Sequence, residues 1–515
     1  MAFDASQFMS PTGGDYEITN SLRFNDDSAE QLTRTFSSAG NRKTFTYSVW
    51  LKRGNTSDNS SSQYDYQNIL DTNGNNYISF SGDNKDCIRI FANDGSTRLN
   101  LVTTQVFRDH SSWYHIMFVL DTTQGTAANR AKLYVNGVQV TSFSAATYPD
   151  QNYDLVWSSA VSHSIGGTDA NYFDGYLAEV NFIDGAAKAP ADFGETGDYG
   201  EWKPIQYSGS YGDEGFYLDF KSSGVGTAGS STIGADRSGN TNHWTSTNIA
   251  VTDQMLDSPT NNFATLNPLY LGSRIAPLSE GNLLATFGSG FVGAFSTILC
   301  SSGKWYAEVL ITRDAGNRVG VWKESAEGLA NPQNSALTFN YFRNGQQSNG
   351  TTKSSYGDSY TAGDIIGIEL DQTNNTINFY KNNSAQGQID LSSKVTGTNP
   401  VFLGGAGRND TQVWNFGQDS SFAGNKTAQG NQDGNAIGDF FYAPPSGFLA
   451  LCTANLPDAA VIPSEYFNTV LYTGNGSTQD ITSVGFSPNL TWIKNRAATD
   501  ANQIFDSVRG VTKTL

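Results

Sequence analysis

Short apolar runs with a two-residue period, each closed by turn-forming residues, recur from Ser21 to Lys494, and no segment carries a sustained 3.6-residue period with caps. That pattern restricts the chain to sheets. Alternation places successive side chains on opposite faces of a strand, whereas an amphipathic helix needs apolar residues three and four apart. Thr44–Lys52 (TFTYSVWLK) puts Phe45, Tyr47, Val49 and Leu51 on one face and Thr46, Ser48 and Trp50 on the other. Trp113–Leu120 (WYHIMFVL) is apolar on both faces, as expected of a strand inside a two-layer core. In Ala131–Thr141 (AKLYVNGVQVT), Asn136 and Gly137 supply the two positive-φ positions of a type I′ hairpin turn between Leu133, Val135 and Val138, Val140. The expected class is all-β.

Composition fits many short strands on tight turns. Gly is abundant (53 residues) and Pro sparse (14), and a hydrophobic share of 37% is supplemented by rings, with 12% aromatic residues. A length of 515 residues exceeds one ordinary domain. The formal net charge of −18, from 49 acidic and 31 basic residues, argues against sequence-independent nucleic-acid binding and against docking on anionic lipid. An acidic surface also simply favours solubility. Cys87, Cys300 and Cys452 are widely spaced and form no CxxC pair, so buried free thiols are expected, with no disulfide framework or zinc site. Met1–Ser10 lacks the basic and apolar regions of a signal peptide, and no run of 18 apolar residues exists, so neither a signal peptide nor membrane insertion is expected.

The segments divide into an N-terminal arm (1–15), a first β domain (16–186), a connector with short strands (187–261), a second β domain (262–422), a second connector (423–463) and the start of a further β domain (464–515) that reads as truncated. Both connectors are rich in Gly with Ser, Asp or Asn, as in AGSSTIGADRSGN and GNKTAQGNQDGNAIGD. The first is expected to be a small β extension packed on its neighbours, with disorder as the alternative. The order SLRF, TFTYSVWLKRG, WYHIMFVLD, KLYVNGVQV, DGYLAEVNFIDG resembles a laminin-G or concanavalin-A-like jelly roll, nearest to such domains in tail proteins of marine bacteriophages. The order KWYAEV, GVW, GDIIGIELD, NTINFYKNN, VWNFGQ resembles a SPRY domain, a β-sandwich for protein recognition. The resemblance implies tandem β-sandwiches on Gly/Asn-rich connectors, with SPRY binding loops such as Glu324–Ser335 and Arg343–Tyr360.

Catalytic patterns are sparse. Jelly-roll glucanases set their carboxylates as E-x-D-x-x-E on one strand face, and that spacing is absent. Glu179 has Asp184 at the wrong parity, and Glu369 with Asp371 ends a strand before a turn, where a solvated pair is expected. His115 lies mid-strand, His110, His163 and His243 carry no partner pattern, and no G-x-S-x-G, HExxH or P-loop occurs. Asp71-Thr72-Asn73-Gly74-Asn75 begins like a calcium loop, but Asn76 and Gly82 stand where an EF-hand needs Gly and Glu, so a hairpin turn is expected. Tyr64, Tyr66, Trp157, Tyr172, Tyr341 and Phe342 lie in polar, loop-like settings and are the candidate glycan platforms.

These features, with the resemblance, lead to one expectation: a non-enzymatic virion protein, a tail fibre or similar adhesion component, with no cofactor and no bound metal. It would bind a host-surface glycan or protein receptor and other virion proteins. The likeness to tail fibres implies a homotrimer, whose repeated weak sites gain avidity. A capsid-decorating structural protein and a glycan depolymerase are the alternatives.

Overall fold

The computed structural model of the protein describes residues 3–4, 16–54, 66–81, 86–269, 276–290, 292–313, 315–323, 338–348, 352–392, 400–457, 461–510 and 513. The fold is all-β: among the described residues the only helices are short 3-10 turns. Two compact units exist, one of residues 1–195 and 203–457, the other of residues 196–202 and 458–515.

Two sandwiches make up the larger unit. The first sandwich stacks two eight-stranded sheets. One sheet runs Val138–Gln139, Ala131–Val135, Tyr114–Asp121, Thr44–Arg53, Gly175–Asp184, Ser21–Phe24, Gln254–Met255, and Phe216–Leu218 also pairs with Gly175–Asp184. The other runs Phe143–Thr147, Thr97–Val106, Cys87–Asn93, Asn76–Ser81, Gln67–Thr72, Ser162–Ile165, Gln31–Thr35, Thr245–Thr247. The connector therefore supplies strands to both sheets. Phe45, Tyr47, Val49, Leu51, Ile116 and Phe118 from the first sheet meet Ile78, Phe80, Ile88, Ile90, Leu99 and Leu101 from the second in one core. Each such side chain contributes about 1.5–3 kcal/mol when fully buried. The hairpin turn at Asn136 (φ 47°) and Gly137 (φ 76°) sets the register Val135 to Val138.

The two sheets differ in what covers their outer faces. In the first, Thr44–Arg53 and Gly175–Asp184 are buried along nearly their whole length, on both faces. The second sheet changes character at Cys87–Asn93, where Cys87, Ile88, Ile90 and Ala92 are buried while Arg89, Phe91 and Asn93 are half-buried. The outer face there is half-buried at Arg89 and Phe91 and buried at the neighbouring Tyr77 and Ser79.

The second sandwich stacks an eight-stranded sheet built around Lys304–Arg313 and Ile365–Asp371 on a six-stranded sheet built around Arg318–Lys323, Thr338–Phe342 and Val401–Gly407. Ile365–Asp371 pairs with Thr376–Lys381 across the turn at residues 372–375. The second connector adds Leu449–Ala450 beside Trp305 and Tyr306.

Buried charge joins the sandwiches. Arg23 Nη2 lies 2.7 Å from Asp253 and 3.2 Å from Glu280, and Nη1 lies 3.4 Å from Asp419. Lys52 Nζ lies 2.7 Å from Asp257 and also donates to Asn262 Oδ1 and the Phe263 carbonyl. Tyr176 donates to the Gly281 carbonyl at 2.6 Å. In the smaller unit, Leu490–Ile493 and Gln503–Asp506 form an antiparallel pair, and Leu471, Trp492 and Val508 are exposed.

Candidate functional site

The side chains best placed to meet a ligand stand on the half-buried outer face of the first sandwich. Alternation along Asn76–Ser81 and Cys87–Asn93 sends Ile78, Phe80, Ile88 and Ile90 inward and leaves Tyr77, Arg89 and Phe91 outward. Tyr77 and Phe91 are cross-strand partners with ring centroids 5.3 Å apart, and Tyr66 lies 5.4 Å from Tyr77. Arg89 lies among these rings, its guanidinium carbon 4.5 Å from the Phe91 centroid and 5.5 Å from that of Tyr66. Its Nε donates to Asn100 Oδ1 at 3.0 Å and its Nη1 to the Tyr66 hydroxyl at 2.7 Å. Aromatic faces, a cation and an amide thus share one half-buried surface, a set suited to the C–H faces and hydroxyls of a sugar.

Of the candidate platforms, Tyr66 belongs to this surface. Half-buried Tyr172 is close to it in the backbone, because the Asn68 N–H donates to the Asn171 carbonyl at 3.1 Å. Tyr64 lies outside the described residues. Trp157 must be corrected: it is 1% exposed, and its ring packs against Phe45 and Phe118 at 5.9 and 5.4 Å while Nε1 donates to the Asn76 carbonyl. A polar neighbourhood in sequence here accompanies a side chain that reaches into the core. Tyr341 and Phe342 likewise lie on a strand and not in a loop. Tyr341 is fully buried against Tyr356, Tyr360 and Phe379, and Phe342 is covered by Arg318 and Lys353 at 4.9 and 4.5 Å. Tyr356 and Tyr360 come from the stretch 343–360, whose described part folds back on the sheet through Gln346–Ser348 and Lys353–Ser355. The other expected binding loop, Glu324–Ser335, lies outside the described residues.

A second concave region is an open polar cleft of about 760 Å³ lined by Arg34, Ser37, Ser162, Asn240, Asn242 and His243. Its cation is already engaged: Arg34 Nη2 lies 2.6 Å from Glu214 Oε2 and donates to Asn242 Oδ1. His243 Nδ1 accepts from the Asp236 N–H.

Several buried titratable groups elsewhere are engaged within the fold, whereas the ring nitrogens of buried His110 have no hydrogen-bond partner among the described residues. Glu179 accepts from the Tyr16 and Tyr217 hydroxyls, both at 2.7 Å, and burial pushes its carboxyl up to about 7. Glu308 accepts from the Phe441 and Tyr442 N–H groups, both at 2.8 Å, and burial raises it to about 7 as well. Glu369 accepts from Tyr380 and Asn378, while Asp371 takes the turn N–H groups of Thr373 and Asn374 and pairs with Lys304. His115 stacks on Trp50 and bonds Ser48, and burial lowers it to about 3. Asp71 accepts from the Gly74 N–H and Asn68 Nδ2 in a hairpin turn, and burial raises it to about 6. Among the described residues no three or more acidic, His or Cys side chains cluster to hold a metal ion. The three cysteines are buried and unpaired.

Three family models match separate stretches. Residues 24–191 match the concanavalin A-like lectin/glucanases superfamily in its laminin-G form, residues 304–419 match the SPRY domain, and residues 462–515 match a domain of unknown function (DUF7483). The chain therefore carries a concanavalin-A-like domain followed by a SPRY domain. Similar solved structures include the SPRY domain of human HERC1, 19% identical, covering 26% of this chain and 87% of that one with a TM-score of 0.23. A candidate carbohydrate-binding protein from Bacteroides ovatus is 17% identical, covering 45% of this chain and 58% of that one at a TM-score of 0.32. Stonustoxin is 20% identical, covering 30% of this chain and 27% of its own at a TM-score of 0.24. No curated protein matches the chain.

Proposed function

We propose that this chain is a non-enzymatic adhesion component of a bacteriophage particle, a tail fibre or similar part, that binds a host-surface glycan through the first sandwich. The observation that carries the reading is the half-buried surface of Tyr66, Arg89 and Phe91 packed around Tyr77, with its rings and polar groups side by side. The particle assignment rests on the marine-phage resemblance of the first domain. A concanavalin-A-like domain beside a SPRY domain supports a binding role. Self-association, as a trimer, follows from the same resemblance, and the exposed Leu471, Trp492 and Val508 are consistent with it.

Binding of the full chain to a glycan array and to a panel of marine bacterial cells tests the reading. Retention is expected on a subset, and the Tyr66→Ala, Phe91→Ala double variant should lower it about tenfold, because each ring contributes about 0.5–1.5 kcal/mol. Wild-type protein that adheres to none of the glycans or cells, or that releases reducing ends from host polysaccharide, would overturn it. Sedimentation velocity reads the oligomer, with a trimer expected.

A further inference from the structure

We propose that the surface around Arg89 selects a saccharide bearing a carboxylate, that is, an acidic glycan; this rests on the glycan-binding reading above. A guanidinium carries five N–H donors. In Arg89 only Nε and Nη1 meet acceptors, Asn100 Oδ1 and the Tyr66 hydroxyl, so Nη2 and one N–H of Nη1 have none among the described residues. Neither acceptor is a carboxylate. Arg23, Arg34, Arg53, Arg98, Arg108 and Arg237, in contrast, each reach an Asp or Glu at 2.6 to 3.4 Å. Arg42 and Arg130 also lack a carboxylate, but they spend their N–H groups on backbone carbonyls, whereas Arg89 meets only side-chain oxygens, an amide and a phenol.

A second observation lies on the same face. Asn68 Oδ1 and Ser79 Oγ are buried with no hydrogen-bond partner. Ser79 is the cross-strand neighbour of Arg89, and Asn68 is that of Ser79. Buried polar atoms are nearly always paired. The patch around Arg89 is thus short of partners, and its accessible part, the spare guanidinium donors of the half-buried Arg89, is what the carboxylate of an acidic sugar completes. A carboxylate offers coplanar oxygens to a guanidinium edge in a bidentate contact, while Phe91 and Tyr66 supply faces for the ring. The overall charge of −18 repels polyanions at a distance, so selection depends on contact at this one cation.

Titration calorimetry on the full chain decides it. The probes are tetrasaccharides of galacturonate and of alginate, their carboxyl-reduced neutral forms, a sulfated neutral tetrasaccharide and a Glu-rich peptide. At least one uronate is expected to bind tenfold or more tighter than its carboxyl-reduced form. Arg89→Gln should erase that difference by weakening the uronate tenfold or more beyond any loss for its neutral form, and Arg89→Lys, which keeps the charge but loses the planar fork, should fall between. Thermal melts of both variants confirm folding, and Arg89→Lys carries the test if Arg89→Gln does not fold. Equal affinity for charged and reduced sugars, or sulfated sugar or peptide bound as tightly as uronate, overturns the inference and leaves glycan binding standing. Wild-type protein that binds none of the sugars overturns this inference, and adhesion of that same protein to cells then shows whether the broader reading survives.

Discussion

Lys52 lies wholly inside the protein, with Asp257 at 2.7 Å on one side and Asn262 and the Phe263 carbonyl on the other. Asp257 also takes the Trp113 Nε1–H and the Phe263 N–H. Replacing one member of a buried pair strands the other charge, which costs about 3–5 kcal/mol. Lys52→Met should therefore lower the unfolding free energy from urea titrations by an amount of that order, and Lys52→Met with Asp257→Leu should recover part of the loss. A double variant as unstable as the sum of the two single ones would show that the pair does not act as a unit. The same scale shows the limits of local sequence reading. Trp157 lies in the short run Leu155-Val156-Trp157 between Asp154 and Ser158-Ser159, too short for a strand period to mark the ring as core. Arg89 was legible in principle: in CIRIFAN the inward Ile88 and Ile90 leave Arg89 and Phe91 together on the other face. The isolated aromatic platforms point to loops, whereas the ring cluster is assembled by cross-strand pairing along the successive strands Gln67–Thr72, Asn76–Ser81 and Cys87–Asn93.

Strands and turns were the most legible level. The hairpin at Asn136-Gly137 and that at residues 372–375 follow directly from turn chemistry. Gly137 has φ 76°, so Gly137→Ala should cost about 1–2 kcal/mol, read as a lowered melting temperature. The bulge in Gly175–Asp184 was not legible, because nothing in AEVN marks Glu179 as adopting φ 51°. That bulge directs the Glu179 carboxylate between Tyr16 and Tyr217, where burial holds it up to about 7 from an ordinary value of 4.5. A carboxyl raised in the folded state binds its proton more tightly there than when unfolded. Its contribution is thus fully present below about pH 4.5 and is lost as pH rises to about 7. Glu179→Gln keeps the shape, and the two phenol hydroxyls can turn to suit an amide. Going from pH 5 to pH 8, the wild type should lose up to about 3 kcal/mol relative to this variant in urea titrations. Parallel pH profiles would mean that Glu179 is ionised in the fold across that range.

At the scale of the larger unit, the order of recognition folds was readable from the sequence but their union was not, because a joint is made by residues far apart along the chain. Arg23 on the strand Ser21–Phe24 collects Asp253 from the connector and Glu280 and Asp419 from the second sandwich. Asn282 Nδ2 reaches the Gly54 carbonyl at 2.7 Å, and Tyr176 reaches Gly281. Such contacts desolvate charge and leave little water between the layers, so the two sandwiches should open together and not independently. Scanning calorimetry of the full chain should show one transition for them, apart from any signal of residues 458–515. Arg23→Met removes the shared cation and leaves three carboxylates facing one another, and like charges at close range in a buried setting repel. The single transition should then split in two. If wild-type protein already shows two separated transitions, the charges at the joint align the sandwiches without coupling their stability. A split confined to the variant identifies Arg23 as the residue through which one recognition fold holds the other in place.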